Sequence, residues 1–404
     1  MTQHKFAKKL NIAVAGTGAV GRVLIERLLD EQRAENCPFK LVAISARRQR
    51  PWVKGTGISF VDSPVLLAQK PNVDVIIEAL GGVQTAYDLV SSALCNGKHV
   101  ITANSTMMAG YGETLLRTAQ ANNRYLGFEA GILAGLPLRS FFTSIQQDVP
   151  RVTVLLSNGV NRTLQRMQLM GESFENALSA VQQELPVDPS GKEDSYRLSL
   201  LRGLLYGRWQ PVKQIKSMDL SLLEAADMAL TQQLGGVIQV VGMANAGGVC
   251  LQPMVIQENH VLRQIATKQE GIMLELSTGA VQVTAPMRSV ATAVESIMND
   301  LKASCGKRAW KPREASSEGL GELGTGCVFV RFNKIDHDLL RRDSRWGVMQ
   351  ERVDGSRGKV GAILSTSLTP QQVAQILPNS IALPVWQPAN AEVQPLTTPL
   401  RLVS

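Results

Sequence analysis

The chain has 404 residues, of which 44% are hydrophobic and 19% charged, a composition typical of a soluble globular protein with two or three domains. It contains no run of 18 apolar residues, so we expect no membrane span and no membrane partner. The net charge of +8 permits nucleic-acid binding, but dispersed basic residues and an aromatic content of 5% disfavour a base-stacking platform, so we expect no nucleic-acid partner.

The cysteines and histidines indicate a reducing compartment and no metal centre. The five cysteines lie far apart without a CxxC pair, and the four histidines lack metal-ligand spacing. We therefore expect reduced thiols, a cytoplasmic location and no bound metal. The N-terminal MTQHKFAKKLNIAVAG is similar to a signal peptide, but its apolar part leads directly into a glycine-rich turn, which favours a first core strand.

A dinucleotide-binding turn is predicted next. The run LNIAVA predicts a strand over residues 10–15, GTGAVG follows over residues 16–21, and RVLIERLLDEQ has a helical pattern. Here Gly16 allows the tight turn, Gly18 lets the backbone approach a pyrophosphate, and Gly21 lets helix and strand pack closely. The predicted cofactor-binding turn comprises Gly16, Thr17, Gly18, Ala19, Val20 and Gly21. The alternative is a plain tight turn.

The end of the second predicted strand indicates which cofactor is bound. FKLVAIS, residues 39–45, is followed by Ala46, Arg47 and Arg48, and no carboxylate stands where NAD would need one for its ribose 2′-hydroxyl. A guanidinium can pair with two oxygens of a 2′-phosphate. We therefore predict NADP, with NAD less favoured, and the alternative is a solvated basic loop.

Strands and helices alternate through the rest of the first segment. VDVIIEALGG (73–82), KHVITAN (98–104) and RYLGFEAGILAGLPL (124–138) each predict a strand and a turn, and a helix follows the second of them to about residue 122. This alternation predicts an α/β protein with a doubly wound parallel Rossmann sheet. The predicted dinucleotide-binding domain covers residues 1–140 and includes a returning helix at 290–304.

Two further domains are predicted. Residues 141–289 mix helices and strands, and we interpret them as an α+β domain for substrate binding and dimerisation. Residues 305–325 are rich in glycine and charge, which is typical of a linker. Residues 326–404 predict the order β-α-β-β-α-β, which is a ferredoxin-like unit.

These motifs carry a resemblance to a known family. The chain resembles homoserine dehydrogenase over nearly its whole length, on VAGTGAVGR, DVIIEALGG, GKHVITAN, FEAGILAGLPL, SNGVNRTL, GESFENALSAVQ, the DP of VDPSG, and GGVIQVVGMAN. The tail resembles an ACT regulatory domain. The resemblance implies a homodimeric NAD(P)-dependent oxidoreductase that interconverts L-aspartate-4-semialdehyde and L-homoserine.

The resemblance also implies roles for particular residues. Besides the glycine turn, Arg47 and Arg48 would bind the 2′-phosphate, and Thr102 to Asn104 would line the nicotinamide edge. The implied substrate residues are Glu129, Asn158, Gly159, Asp188 and Asp194.

The chain departs from the family pattern at the proton-handling positions. The family reads TANK where this chain has TANS, so Ser105 replaces a lysine. A family helix with D-x-x-x-K aligns best with Glu193 and Arg197, although a register one residue later pairs Asp194 with Leu198. The family glutamate before the DP falls on Pro186, with Glu184 nearby, and its GPGAG-type turn reads TAPMRS at 284–289.

These departures leave several functional hypotheses open. We expect Arg197, Glu193 and Ser105 to be catalytic, although arginine stays protonated and is a poor acid, and losing a general acid removes a factor of about 10²–10⁴ in rate. The alternatives are an oxidoreductase with another carbonyl substrate and a non-catalytic nucleotide-binding regulatory paralogue. Glu193, Asp194 and Arg197 could equally form an exposed helix start, and Glu129 could cap a turn. The tail lacks the D-x-x-G effector loop, which disfavours amino-acid feedback.

Overall fold

A computed structural model of the protein describes residues 9–48, 57–133, 135–145, 148–156, 158–185, 187–215, 219–257, 260–265, 269–305, 326–354, 358–377 and 379–386. Pro186 and all but the first residue of the predicted linker lie outside these ranges. The chain divides into two compact units. Unit 1 comprises Met1–Gln146, Tyr196–Gln214 and Ala285–Ala315, and unit 2 comprises Gln147–Ser195, Ile215–Thr284 and Ser316–Ser404. The three-domain division stays a prediction.

The secondary structure of the described residues alternates between strands and helices over the first third of the chain. The strands are β1 (Leu10–Ala15), β2 (Phe39–Ser45), β3 (Ser59–Val61), β4 (Val75–Glu78), β5 (His99–Thr102), β6 (Leu126–Gly127), β7 (Arg151–Leu155), β8 (Gly236–Ala244), β9 (Val249–Gln257), β10 (Gln269–Leu276), β11 (Gly279–Pro286), β12 (Gly326–Asn333), β13 (Trp346–Asp354), β14 (Lys359–Thr366) and β15 (Ile381–Pro384). The helices are α1 (Ala19–Glu31), α2 (Val65–Gln69), α3 (Gln84–Cys95), α4 (Ser105–Ala121), α5 (Leu138–Ser144), α6 (Asn158–Met170), α7 (Phe174–Gln182), α8 (Lys192–Tyr206), α9 (Ala225–Gln233), α10 (Val290–Ser304), α11 (His337–Arg342) and α12 (Pro370–Ile376). No helix in these ranges is both long and apolar enough to cross a membrane.

Unit 1 is built on a parallel sheet with the strand order β3-β2-β1-β4-β5-β6. The order reverses between β1 and β4, and ligands of such sheets bind at that reversal, beyond the carboxyl ends of the strands. Helix α10 belongs to this unit, because Ile297 and Leu301 share an apolar core with Ile12 and Leu24. The predicted doubly wound parallel sheet is confirmed.

Unit 2 contains an antiparallel sheet with the order β11-β10-β7-β8-β9. Buried apolar side chains such as Val241 and Met254 fill one face of it. On two neighbouring strands, Arg151 donates from Nε to Glu275 Oε1 at 2.6 Å, so a charged pair is buried where the strands meet.

A second antiparallel sheet in unit 2 has the order β13-β14-β12-β15. With α11 and α12 it has the predicted β-α-β-β-α-β topology of a ferredoxin-like unit. One face packs Val330, Phe332 and Val360 into a core. On β12, Arg331 forms a buried ion pair with Asp227 of α9, which fastens this sheet to the rest of unit 2.

Candidate active site

The glycine turn after β1 has the geometry that a pyrophosphate site needs. Gly16 has φ of +107°, and a Cβ there would overlap the carbonyl oxygen of Ala79. A Cβ on Gly21 would overlap the carbonyl oxygen of Gly16. A Cβ on Gly18 would meet no atom within 4 Å. Gly16 and Gly21 are therefore required by packing, whereas Gly18 leaves space beside the backbone for a ligand.

A cavity of about 690 Å³ lies over this turn, at the carboxyl ends of the strands. Its lining residues are Gly16, Thr17, Gly18, Ala46, Arg47, Arg48, Asp62, Pro64, Ala79, Leu80, Gly81 and Thr85. The predicted Arg47 and Arg48 are exposed and lie in this lining. The predicted Ala19, Val20 and Gly21 begin α1 directly after the lining residue Gly18.

Asp62 is a lining residue that the sequence did not indicate. It follows β3, which pairs with β2 through Val61 opposite Ser45, so Asp62 and Arg47 leave neighbouring strands at the same edge. β3 has only three residues and no apolar periodicity, and the sequence therefore predicted no strand there. The carboxylate gives an otherwise cationic rim one negative group.

Glu78, Thr102 and Asn104 lie behind the cavity rather than in its lining, and they join the turn after β4 to the loop after β5. Glu78 has no exposed surface, and its carboxyl accepts hydrogen bonds from the Leu80 amide, at 2.7 Å, and from the Thr102 hydroxyl. The Thr102 oxygen accepts the Asn104 amide at 3.0 Å. The Asn104 side chain accepts the Met107 amide at 2.9 Å and so caps α4. Thr102 and Asn104 thus hold the loop that was predicted to line the nicotinamide edge.

Ser105 and Arg197 approach the same backbone segment of unit 1. Ser105 is the first residue of α4, and its Cβ lies 3.6 Å from the position of a Cβ on Gly131. Arg197 is 3% exposed and donates from Nε to the carbonyl of Ile132 at 2.7 Å. The structure therefore brings Ser105 close to Gly131 and the buried Arg197 guanidinium to the adjacent Ile132.

Glu129 belongs to a buried charged cluster. Its Oε1 accepts the backbone amide of Arg139 at 3.0 Å, so it caps the start of α5. The Arg139 guanidinium lies 3.9 Å from both Glu129 and Asp300, and the Tyr125 hydroxyl donates to Asp300 at 2.6 Å. Burial, and then the charge of Asp300, raise the pKa of Glu129 to about 8. The cap and the cluster account for one carboxylate oxygen, while Oε2 is buried without a hydrogen bond among the described residues.

Asn158 and Gly159 begin α6 in unit 2. A Cβ on Gly159 would lie 2.7 Å from a methyl group of Val187. Glycine at this position therefore allows the segment around Val187, which follows α7, to approach α6. The Asn158 Nδ2 is buried and makes no hydrogen bond within the described part of the chain. An amide donor in that condition is suited to a polar ligand, because its burial is otherwise uncompensated.

The acids around the start of α8 are arranged as helix-capping and surface groups. Asp188 accepts the backbone amides of Ser190, Lys192 and Glu193. Burial raises the pKa of Asp188, but the hydrogen bond from the Ser190 hydroxyl, together with those from the three amides, outweighs burial and holds the pKa below its usual value. Glu193 is exposed and Asp194 half-buried in the first turn of α8, four and three positions before the buried Arg197.

The parallel sheet, the strand reversal and the open glycine turn define a dinucleotide-binding protein of the doubly wound α/β class. The family model described as "Homoserine dehydrogenase, NAD binding domain" matches residues 16–129. The family model described as "Homoserine dehydrogenase" matches residues 142–301. The chain belongs to the homoserine dehydrogenase family, as its motifs predicted.

Individual relatives agree with this assignment. The homoserine dehydrogenase of Neisseria gonorrhoeae is 26% identical over 299 residues, which are 69% of this chain and 66% of that protein. The match thus spans just under two thirds of that relative. The fold is similar to a crystal structure of Staphylococcus aureus homoserine dehydrogenase, with a TM-score of 0.77, 20% identity and coverage of 94% of this chain and 99% of that one. A hyperthermophilic archaeal homoserine dehydrogenase in complex with NADPH has a TM-score of 0.60, 18% identity and coverage of 74% and 98%.

Proposed function

We propose that this protein is an NADP-dependent homoserine dehydrogenase that interconverts L-homoserine and L-aspartate-4-semialdehyde, or a closely related amino-acid semialdehyde. The observation that carries the proposal is the exposed backbone at Gly18, which faces open space in the 690 Å³ cavity beside Arg47 and Arg48. That cavity fits a nucleotide diphosphate, since the glycine admits phosphate oxygens and the start of α1 supplies free N–H groups.

The preference for NADP rests on the rim of the cavity. Arg47 and Arg48 are exposed guanidiniums at its edge, and a 2′-phosphate there would accept charge-assisted hydrogen bonds. The relative that was solved in complex with NADPH supports a nicotinamide cofactor of this kind. When bound, NADP would supply the acceptor for a hydride from the alcohol carbon of homoserine, and the alcohol proton would leave to the protein or to water.

The proton-handling groups in our proposal are Arg197 and Ser105. Arginine stays protonated at neutral pH, so the Arg197 guanidinium would stabilise an alkoxide electrostatically and would not supply its proton. The Ser105 hydroxyl is both donor and acceptor, and it can pass a proton to water. Glu193 is exposed at the start of the same helix, α8, and would hold the water that accepts the proton.

The substrate groups in our proposal differ in how free they are to bind. Asn158 retains a buried, unused amide donor, and Glu129 a buried, unused carboxylate oxygen. Asp188 is occupied by three backbone amides and would act by fixing the start of α8. Gly159 would allow the segment around Val187 to approach α6. Asp194, half-buried in the first turn of α8, would contact the substrate.

We further propose a cytoplasmic homodimer with an ACT-like C-terminal domain. The five cysteines are free thiols, which favours a reducing compartment. The topology of the second sheet of unit 2 supports the ACT-like assignment. The buried ion pair between Arg331 and Asp227 favours a sheet that is held firmly within unit 2 over a sheet that moves. Sedimentation of the full chain tests the dimer.

A turnover screen tests the proposed reaction. Purified protein is given L-homoserine with NADP or NAD, and the reduced nicotinamide is followed by its absorbance. We expect turnover with NADP that is lost in the Arg197→Ala variant. Turnover only on other amino alcohols would identify a diverged oxidoreductase, and a nucleotide-induced thermal shift without any turnover would identify a regulatory paralogue.

A further inference from the structure

Glu78 is a buried carboxyl group for which the proposed reaction has no use. It is the last residue of β4, lies opposite Ala15 on β1 and Thr102 on β5, and has no exposed surface. The three residues that follow it, 79–81, line the dinucleotide cavity. The carboxyl therefore lies directly behind the cavity wall, at the point where the strand order reverses.

The two oxygens of Glu78 connect two turns. Oε1 accepts the amide of Leu80, a residue of the cavity wall, and Oε2 accepts the hydroxyl of Thr102. The Thr102 oxygen in turn accepts the amide of Asn104, whose side chain caps α4 and also donates from Nδ2 to the carbonyl of Gly82 at 2.8 Å. One carboxyl thus holds the cavity wall and the loop before Ser105 in a single hydrogen-bonded unit.

We propose that Glu78 is a positioning residue that fixes these two turns for the dinucleotide, and that its Oε2 becomes more fully protonated, with uptake of protons from solvent, when the dinucleotide binds. The inference rests on the proposed function, because it requires a dinucleotide in this cavity. It goes beyond that function by assigning a proton-linked role to a residue that does not touch the reacting atoms.

The surroundings of Glu78 favour the neutral form. Burial raises its pKa to about 7, and hydrogen bonds from Thr102, Leu80 and Asn104 only partly oppose the rise. The pyrophosphate of a bound dinucleotide brings two negative charges and removes water from the cavity wall. Both effects disfavour an additional negative charge on Glu78. Binding therefore raises the pKa further, and the carboxyl becomes more fully protonated near neutral pH.

No described charged group next to Glu78 competes for this role. β1 carries no titratable side chain, and β5 carries only His99, at the opposite end of the strand with its Nδ1 accepting the Tyr125 amide. The buried face of α3 is apolar, and its Asp88 is exposed and paired with Gln84. Among these elements Glu78 is therefore the buried carboxyl behind the wall, whereas Asp62, the carboxylate of the cavity lining, follows β3 at the rim.

The hydrogen-bond pattern accommodates both protonation states. When Glu78 is ionised, the Thr102 hydroxyl donates to Oε2. When Oε2 carries a proton, the direction of this bond reverses: Oε2 donates to the Thr102 oxygen, and the Thr102 hydroxyl no longer donates to Glu78. The amide of Leu80 keeps its acceptor, Oε1, in either state. The proton can therefore be taken up without a change in the positions of the two turns.

Isothermal titration calorimetry with NADP tests the proposal. Titrations at pH 6.5–8.5 in buffers of different ionisation enthalpy give the number of protons taken up on binding. The variants are Glu78→Gln and, as a matched control, Glu113→Gln, which changes an exposed carboxyl on α4. The 2′-phosphate of NADP contributes equally to proton uptake in wild type and in both variants. The difference in proton uptake between wild type and Glu78→Gln therefore measures the contribution of residue 78.

We expect the wild type and Glu113→Gln to take up more protons than Glu78→Gln. A single linked proton lowers affinity by at most about tenfold for each pH unit, so wild type should lose roughly three- to tenfold more affinity than Glu78→Gln across this range. Thr102→Val, which removes a hydrogen bond that lowers the pKa of Glu78, should move the pH-dependent loss to higher pH. If Glu78→Gln fails to fold, the pH profile of Thr102→Val tests the proposal instead.

The outcomes separate this inference from the proposed function. Binding with equal proton uptake in wild type and Glu78→Gln, or an unmoved pH profile in Thr102→Val, overturns the role of Glu78 and leaves the cofactor site standing. The absence of any binding heat with NADP or NAD to folded wild type overturns both.

Discussion

The Nε of Arg197 donates to the carbonyl of Ile132 at 2.7 Å, and this buried guanidinium therefore fixes the backbone beside Ser105. Replacing it by alanine removes both the cation and the donor. We expect Arg197→Ala to lower kcat/KM for homoserine by about 10²–10³-fold and to destabilise the protein by about 1–3 kcal/mol, because the carbonyl loses its partner.

Two further variants show whether the effect arises from the charge at residue 197. Arg197→Lys supplies an ammonium that can lose its proton, so we expect it to retain roughly tenfold more activity than Arg197→Ala. Arg117→Ala removes an exposed arginine of α4 and should leave steady-state rates unchanged. Equal activity of the alanine variant and wild type would rule out a catalytic role for Arg197.

The glycine turn offers a pair of substitutions that separate binding from folding. Gly18→Ala places a methyl group in open space, so we expect an unchanged Tm and a Kd for NADP weakened by about tenfold or more. Gly21→Ala forces a methyl group against the Gly16 carbonyl and should destabilise the protein by about 1–3 kcal/mol. Thermal melts and calorimetry measure both, and tight NADP binding by Gly18→Ala would contradict the pyrophosphate assignment.

Cofactor preference should follow the charges at the cavity rim. We expect the double variant Arg47→Ala, Arg48→Ala to raise KM for NADP by about tenfold or more while KM for NAD changes little. Asp62→Asn should shift the ratio of kcat/KM towards NADP, because a carboxylate repels a 2′-phosphate. Equal changes in KM or in kcat/KM for NADP and NAD in either variant would show that these residues do not distinguish a 2′-phosphate from a 2′-hydroxyl.

The buried cluster around Glu129 should make stability depend on pH. The pKa of Glu129 is raised to about 8 in the folded protein from an ordinary value near 4.5. Its contribution to stability is therefore complete below about pH 4.5 and is lost as the pH rises towards 8 and beyond. The slope for one such group is at most about 1.4 kcal/mol for each pH unit.

Thermal denaturation at pH 5.5–8.5 measures this dependence. We expect Glu129→Gln to melt with a weaker fall in Tm than wild type across the range, because glutamine is neutral throughout. Glu113→Gln, on the surface of α4, should follow wild type. Identical slopes for wild type and Glu129→Gln would show that Glu129 does not hold a proton in the folded protein.

The ion pair between Arg331 and Asp227 should be necessary for docking of the C-terminal sheet within unit 2. Arg331→Met leaves the fully buried Asp227 without a countercharge, and we expect a loss of about 3–5 kcal/mol. Adding Asp227→Leu to Arg331→Met should restore most of the lost stability. The remaining loss of roughly 1 kcal/mol comes from the helix cap that Asp227 provides to α9. Denaturant unfolding of both variants checks this, and full additivity of the two losses would contradict it.

Local pattern was sufficient to predict the nucleotide half of the fold. A β-branched run before Gly16 and a helical period after Gly21 are read from a few adjacent residues, and the packing demands of that turn are themselves local. The ferredoxin-like order of the tail was predicted for the same reason. Strand β3 was not predicted, because three residues cannot show a period in hydrophobicity. Asp62, which follows β3, was therefore not predicted as a site residue either.

The charged interior could not be predicted from pattern. Glu129 meets Asp300 only because α10 returns across 171 residues to the end of β6, and neither sequence neighbourhood indicates the other. Glu78 looks in the sequence like the polar end of a strand. Its burial becomes evident only when β1 and β5 are placed on either side of it.

The most direct test of the account is the rate of NADP reduction by L-homoserine in wild type and Gly18→Ala at matched Tm. We predict steady turnover by wild type and a loss of kcat/KM for NADP in the variant, whose fold is unchanged. Folded wild-type protein that reduces neither NADP nor NAD with homoserine would contradict the account.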